Sequence, residues 1–471
     1  MAEEKQRVAV IGAGPGGYPA AFLAAERGFD VTLIDERPQP GGVCLYDGCI
    51  PSKALLHVAE LVHDASTAEL MGLRFGEPEI DLDQLRQWKQ KEVVARMTGG
   101  LAQIAKARKV RYLQGRAHFV SPTTLRVALD GEVTDLECDY AVIATGSLPA
   151  IPEPLRLDAD RVWDSTRALQ LPEVPQRLLI VGGGYIGLEM ATVYAALGSS
   201  VTVVEMTGSL LPGSDPDLTR ILANAIKERL QEILLLTRVE SLQERKQGIE
   251  ARLTSADLDE AREYDAVLIA TGRRPNAVNL GLDATAVKVD QRGFIEVDHQ
   301  RRTAEPTIFA VGDVVGEPML AHKATHEARV AIESMAGDPA SWDPAAIPAV
   351  VFTDPEIAWC GLTESEASAR GIEVAVTKFP WAASGRATTM AQRQGVTKLI
   401  VEPGTDRILG VGIAGRGAGE LIGEGVLAVE MGARLDDLRL TIHSHPTLSE
   451  TLMESAEVFF GVSPHYIGKR R

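Results

Sequence analysis

The chain has 471 residues, 45% of them hydrophobic and 24% charged, with a net charge of −17 and a pI near 5.1. That length exceeds what a single hydrophobic core normally supports, so two to four domains are expected. The acidic balance argues against a nucleic-acid binder, which would present a basic face; the one basic cluster, Lys469-Arg470-Arg471, reads as a solvated tail.

The opening MAEEKQRVAV has no apolar signal core and runs straight into a strand pattern. That strand, Val8–Ile11, leads into Gly12-x-Gly14-x-x-Gly17 and a helical pattern. In such a fingerprint the first glycine permits the tight turn and the second lets the backbone approach a pyrophosphate. The third allows close helix–strand packing, and the helix N-terminus supplies positive potential. Asp35 ends the next strand 23 residues after Gly12, where it would accept ribose hydroxyls.

GGVCLYDGCIPSK follows, with Cys44 and Cys49 five residues apart. On an ideal helix five residues rise about 7.5 Å, beyond the roughly 7 Å Cα separation a disulfide tolerates. A bond between them requires irregular backbone, which Gly48 and the Gly41-Gly42 pair allow. A loop so small gains only about 2 kcal/mol by the chain-entropy model, so a redox-active pair is the better reading than a staple. Four cysteines in 471 residues do not make a secreted disulfide scaffold. Cys138 and Cys360 lie alone in apolar runs and read as inert core residues. From about Ser52 to Arg108 the pattern is amphipathic, as inserted helices would be. YAVIATGS then closes the first unit, with Gly146 134 residues after Gly12.

The same unit returns. RLLIVGGGYIGLE places Gly182-x-Gly184-x-x-Gly187 170 residues after the first fingerprint, and Glu205 stands 170 residues after Asp35. No Arg follows Glu205 to receive a 2′-phosphate, which favours NAD over NADP. DAVLIATGRRPN closes this unit, with Gly272 90 residues after Gly182. The apolar stretch Leu178–Val204 is broken by glycines and Glu189, so no membrane span is expected. Cysteine usage and the absent signal core together read as cytoplasmic or matrix-like. After Asn276 come TIFAVGDV, a helical run, and Pro344 and Pro348 at an expected boundary. The remainder alternates strand and helix patterns without a third fingerprint, as a separate α+β domain. It holds IHSHPTLSE, in which spacing alone does not choose between His443 and His445; no further Cys or His completes a metal site.

The series GAGPGGY, GGVCLYDGCIPSKALL, ATGS, GGGYIGLE, ATGRRPN, FAVGDV, LAHKA, FPWAASGRA, FTDPEIAWCGLTE and HSHPTLSE resembles the pyridine nucleotide–disulfide oxidoreductases across essentially the whole chain. FAVGDV, LAHKA, FTDPEIAWCGLTE and HSHPTLSE, with FPWAASGRA, resemble the dihydrolipoamide dehydrogenases among them. The resemblance implies two Rossmann-like domains and a C-terminal α+β dimerisation domain, an α/β fold overall. Its expected boundaries are 1–150 for an FAD domain, 151–276 for an NAD domain, 277–348 for a segment completing the FAD domain and 349–471 for the interface. It implies FAD at Gly12, Gly14, Gly17, Asp35, Lys53, Ala117, Gly146, Asp313 and Ala321. It implies NAD at Gly182, Gly184, Gly187, Glu205, Val239 and Gly272. Cys44 would be the thiol that meets substrate and Cys49 the thiol facing the flavin. Lys53 would pair with Glu189, and His445 would act as the base oriented by Glu450. The implied reaction is oxidation of a protein-bound dihydrolipoyl group by NAD. The implied assembly is a homodimer serving lipoyl domains of 2-oxo acid dehydrogenase complexes or the glycine cleavage system.

Two departures stand out. Tyr46-Asp47 occupies the place between the cysteines where the family commonly has Asn-Val, and a carboxylate beside a thiolate would raise its pKa. Gly115-Arg116-Ala117 replaces a Gly-x-Gly turn at a backbone contact, with little loss expected. Among rivals, glutathione reductase would want basic residues after Glu205, and mercuric reductase a second C-terminal cysteine pair. A scaffold that merely binds FAD would not fill every redox position.

Overall fold

Residues 5–468 are described by a computed structural model; the first four residues and the basic tail Lys469-Arg470-Arg471 lie outside the described residues. The apolar run at the N-terminus forms the strand Arg7–Ile11, whose last four residues are buried. An all-apolar strand of this kind suits the middle of a parallel sheet, covered on both faces. It lies between Asp30–Asp35 and Tyr140–Ile143, and the five-stranded sheet is completed by Arg111–Gln114 at one edge and Ile308–Ala310 at the other. The chain therefore leaves its first strand where the strand order changes direction, and the glycine turn opens there. Such a switch point is where open α/β sheets place their ligands.

The second sheet repeats the plan. Arg177–Val181 sits between Ser200–Val204 and Ala266–Ile269, with Glu232–Leu234 and Val162–Trp163 at the edges. The C-terminal sheet is different: Ala349–Val351, Ile357–Gly361, Ile408–Ala414, Val396–Val401 and Ala375–Pro380 pair antiparallel in that order. The helices Ala418–Glu430 and Glu450–Phe460 share its apolar core, an α+β arrangement. No helix among the described residues is long and apolar enough to cross a membrane.

A buried ionic cluster joins the second sheet's region to the C-terminal one. Lys398 is 0% exposed, and its Nζ lies 2.6 Å from Asp215, 2.7 Å from Asp217 and 2.9 Å from Glu364. Burial alone would lower the pKa of this ammonium; the carboxylates reverse that and hold it above its ordinary value. The same three acids are close enough together to hold a cation, and the lysine fills that role. Removing one partner of a buried ionic group leaves uncompensated charge. Lys398→Ala should therefore cost on the order of 3 kcal/mol at neutral pH, read as a lower midpoint in thermal or urea unfolding. An unchanged midpoint would show that the cluster contributes nothing.

Candidate active site

The first glycine turn is tight where its backbone crosses the sheet and open where a ligand would approach. A Cβ on Gly12, whose φ is +95°, would lie 2.4 Å from Ala144 O, and one on Gly17 would lie 1.7 Å from Gly12 O. A Cβ on Gly14 would meet only Gly42 Cα, at 3.8 Å. Asp35 closes the turn from the next strand: its Oδ2 accepts the Ala13 N–H at 2.7 Å and its Oδ1 the Arg37 N–H at 2.9 Å. From this turn a cavity of about 940 Å³ runs inward. Gly12, Gly14, Asp35, Ala117, Gly146, Asp313, Ala321 and Lys53 line it, together with both Cys44 and Cys49, whereas Gly17 packs beneath the wall.

The cysteine loop is built against that turn. Gly42, at φ +55°, packs so closely that a Cβ would sit 2.4 Å from Gly14 Cα. Cys44 lies on the short helix Gly42–Asp47; Gly48 breaks it, and Cys49 begins the helix Cys49–Thr67. The break supplies the irregular backbone that the spacing requires. Both cysteines are free thiols in this structure and hydrogen-bond to each other. The hydrogen bond from Cys44 is the largest influence on Cys49. It outweighs burial and, with Lys53 helping and Glu189 opposing, brings Cys49 down to about 7. Donating that bond, with burial, pushes Cys44 well above the ordinary thiol range. Cys138 and Cys360 are buried, and desolvation raises them to about 11 and about 12.

The expected influence of Asp47 is not found. Its carboxylate is ion-paired with Arg37, whose guanidinium lies 4.5 Å from the Tyr46 ring centre, and the Tyr46 hydroxyl donates to Gln39 O at 3.2 Å. The largest shifts on the two thiols come from each other, burial, Lys53 and Glu189. Arg37, ten positions back in sequence, captures the Asp47 carboxylate.

One turn beyond Cys49, Lys53 Nζ lies 3.0 and 2.9 Å from the two oxygens of Glu189, which is 3% exposed. Ser52 Oγ donates to the same carboxylate at 2.8 Å and the Phe352 N–H at 3.1 Å. Asp313 is held by Ser147 Oγ, which in turn accepts from Arg273 Nε at 2.7 Å. The Gly312 N–H beside it donates to Glu327 Oε2 at 2.7 Å. Ser52, Phe352, Ser147, Arg273 and Glu327 escaped the sequence reading, because each acts through a partner remote in sequence.

The second glycine turn has the same plan. Cβ atoms on Gly182 and Gly187 would lie 2.4 Å from Ala270 O and 2.1 Å from Gly182 O, while Gly184 and Gly272 face open space. Glu205 Oε2 accepts the Gly183 N–H and Oε1 the Thr207 N–H, both at 2.7 Å. Val239 turns its side chain into the apolar core.

The C-terminal histidines differ sharply. His443 is 6% exposed in its side chain, with Nδ1 2.9 Å from Thr441 O and Nε2 2.8 Å from Glu424 Oε1, so neither nitrogen is available. His445 is 71% exposed, and its Nδ1 lies 2.9 Å from Glu450 Oε1. Glu450 Oε2 accepts the Thr447 N–H at 2.7 Å, which fixes the carboxylate and leaves His445 Nε2 facing outward as a proton acceptor. His445 does not line the cavity that contains the cysteines of its own chain. The structure thus assembles a dithiol with a cation–carboxylate pair in one place and an oriented imidazole in another.

Comparison with known proteins gives a consistent answer. The model described as pyridine nucleotide-disulphide oxidoreductase matches residues 6–328, and that family's dimerisation domain matches residues 347–456. A dihydrolipoyl dehydrogenase of Vibrio cholerae is 48% identical over 464 residues, covering 98% of this chain and 96% of the relative. One of Thermus scotoductus is 44% identical, covering 98% of each. Among solved structures, LpdA from Mycobacterium tuberculosis superposes with a TM-score of 0.89 at 27% identity, covering 96% of this chain and 99% of LpdA. The HOCl-induced flavoprotein disulfide reductase RclA from Escherichia coli, as a Cu(II) complex, gives 0.86 at 30% identity, covering 97% and 99%.

The lowered Cys49 has a direct signature. In the dithiol form one thiolate should appear with a midpoint near pH 7 and be lost as pH falls below it. Ultraviolet thiolate absorbance would record this step, and Cys49→Ser should abolish it. A first thiol titration near the ordinary value would contradict the arrangement.

Proposed function

This chain belongs to the pyridine nucleotide–disulphide oxidoreductase family, among the dihydrolipoyl dehydrogenases, and from that premise we propose that it oxidises a protein-bound dihydrolipoyl group to the cyclic disulfide, with NAD+ as final acceptor. The observation that carries this reading is the Cys44–Cys49 dithiol, with Lys53 and Glu189 beside it, in the wall of a cavity that begins at a dinucleotide-type glycine turn. The residues present suit FAD. Backbone N–H groups and the N-terminus of Gly17–Glu26 would hold its pyrophosphate, Asp35 its ribose and Asp313 its ribityl–phosphate region, with Ala117, Gly146 and Ala321 completing the wall. The turn at Gly182, Gly184 and Gly187, with Glu205, Val239 and Gly272, suits NAD. When bound, these cofactors supply the onward two-electron path that regenerates the Cys44–Cys49 disulfide.

The chain's own residues carry the thiol chemistry. The Nε2 of His445 takes the proton of a substrate thiol, and Glu450 holds the ring in the tautomer that can accept it. The resulting thiolate attacks the Cys44 sulfur; the Cys44–Cys49 bond breaks and Cys49 leaves as a thiolate. Lys53 stabilises that charge. The second substrate thiol attacks the substrate sulfur of the mixed disulfide, closing the substrate ring and releasing Cys44, which takes up a proton. The substrate has lost two electrons and the cysteine pair has gained them.

Because His445 is outside its own chain's cavity, the base at each site is His445 of the partner subunit, brought by the C-terminal dimerisation domain. Ile442, 98% exposed three residues before it, is a natural part of that interface. On this reading residues 1–150 with 277–348 form the FAD domain, 151–276 the NAD domain and 349–471 the interface. The strand Ile308–Ala310, which returns to the first sheet, supports it. Lipoyl domains of 2-oxo acid dehydrogenase complexes or of the glycine cleavage system, in a reducing cytoplasm, complete the assignment.

Steady-state assays of dihydrolipoamide and glutathione with NAD and NADP test the reading. Dihydrolipoamide with NAD should dominate. Like charge between Glu205 and a 2′-phosphate should favour NAD at least about a hundredfold in kcat/KM. A preference for glutathione or NADP would overturn it. The shared site is tested separately by unfolding Cys49→Ala and His445→Ala homodimers together and reassembling them. Random pairing makes about half the dimers mixed, and each mixed dimer has one intact site, so about a quarter of all sites should recover. No recovery in demonstrated mixed dimers would place both groups in one chain.

A further inference from the structure

The Lys53–Glu189 pair is closed from behind by a residue of the C-terminal domain. Phe352 directly follows the strand Ala349–Val351. Its N–H donates to Glu189 Oε1 at 3.1 Å, and its ring centre lies 4.4 Å from Lys53 Nζ. A cation above an aromatic face is attracted by the ring quadrupole, more strongly where water is excluded. The segment carrying Phe352 is itself pinned, since Arg229 Nη1 donates to Asp354 O at 2.9 Å and to Asp354 Oδ2 at 2.8 Å.

Behind this contact lies a second cavity, of about 450 Å³, bordered by Lys53 and Phe352 and floored by Leu56, Leu188 and Ala191. A lysine on a flexible four-carbon stem has two places to put its ammonium: beside Cys49, or back into this space among the charged groups at its rim. The ring stands against the second. We infer that Phe352 is a positioning residue, whose backbone N–H orients Glu189 and whose ring keeps the Lys53 ammonium beside the Cys49 sulfur. The domain that carries the dimer contact thereby sets the electrostatics of a dithiol carried by the first domain.

This inference rests on the reading of Lys53 as the cation beside the flavin-facing thiol. The titratable and charged groups around Cys49 are Cys44, Lys53, Glu189 and the phenols of Tyr18 and Tyr185. Of these, Lys53 is the one that Phe352 touches with its ring. If the ring is lost, the ammonium is held less firmly and the thiolate requires a higher pH to form.

The test uses the two-electron-reduced holoenzyme and the pH midpoint of its long-wavelength thiolate–flavin absorption. Phe352→Leu and Phe352→Met keep apolar volume and the backbone N–H but remove the ring; each should raise the midpoint by about 0.5–1 unit. Either variant carries the test if the other fails to retain flavin. Phe352→Tyr should restore the native midpoint, which a purely structural loss would not predict. Lys53→Met is the reference and should raise it at least as far. If Lys53→Met moves the midpoint and neither ring-deleted variant does, the role of Phe352 is overturned while that of Lys53 stands. If none of them moves it, both are overturned.

Discussion

A carboxylate withdrawn from water must be met by donors, and the way Glu189 is met organises the molecule. It lies on the helix Tyr185–Ala196, two residues after the third glycine of the second fingerprint, so its position is set by the second glycine turn. Its donors come from elsewhere: Ser52 and Lys53 from the helix that starts at Cys49, and Phe352 from the C-terminal domain. Three parts of the chain are thus fixed relative to one buried group. Were any of them to shift, Glu189 would lose a partner it cannot replace with water, which is how a local hydrogen-bond requirement enforces a long-range arrangement.

The two acids at the strand ends do a similar job on a smaller scale. Asp35 and Glu205 each accept two backbone N–H groups, one from the glycine turn and one from the residue two positions beyond the acid. The turns are therefore held in shape by protein alone. The acid is part of the turn itself, and the repeated interval of 23 residues places it there in both units.

Much of this was legible before any coordinates, for physical reasons. Strand, glycine turn, helix and acid are contiguous in sequence, and each glycine answers a steric need within a few residues of itself. The break at Gly48 was legible because two cysteines five residues apart cannot meet on a regular helix. Asp47 was misjudged: adjacency in sequence suggested adjacency to the thiols, whereas Arg37 takes its carboxylate. Phe352, Ser147 and Lys398 were illegible for the opposite reason, since Lys53, Asp313 and the two aspartates that meet them lie more than a hundred residues away. The choice between His443 and His445 also needed structure, because only three-dimensional packing reveals that both nitrogens of His443 are engaged.

The cluster around Lys398 also bears on how such an enzyme can change over generations. Asp215 and Asp217 belong to the second nucleotide domain, while Glu364 and Lys398 belong to the C-terminal one. Nucleotide-binding units are often regarded as interchangeable cassettes, but here the cassette is soldered to its neighbour by charges that are harmful when separated. A transplanted second domain lacking the two aspartates would leave the buried Lys398 ammonium with Glu364 alone, and the reverse graft would leave Asp215 and Asp217 without the Lys398 cation. A graft that preserves this boundary would therefore have to carry a matching set of charges on both sides.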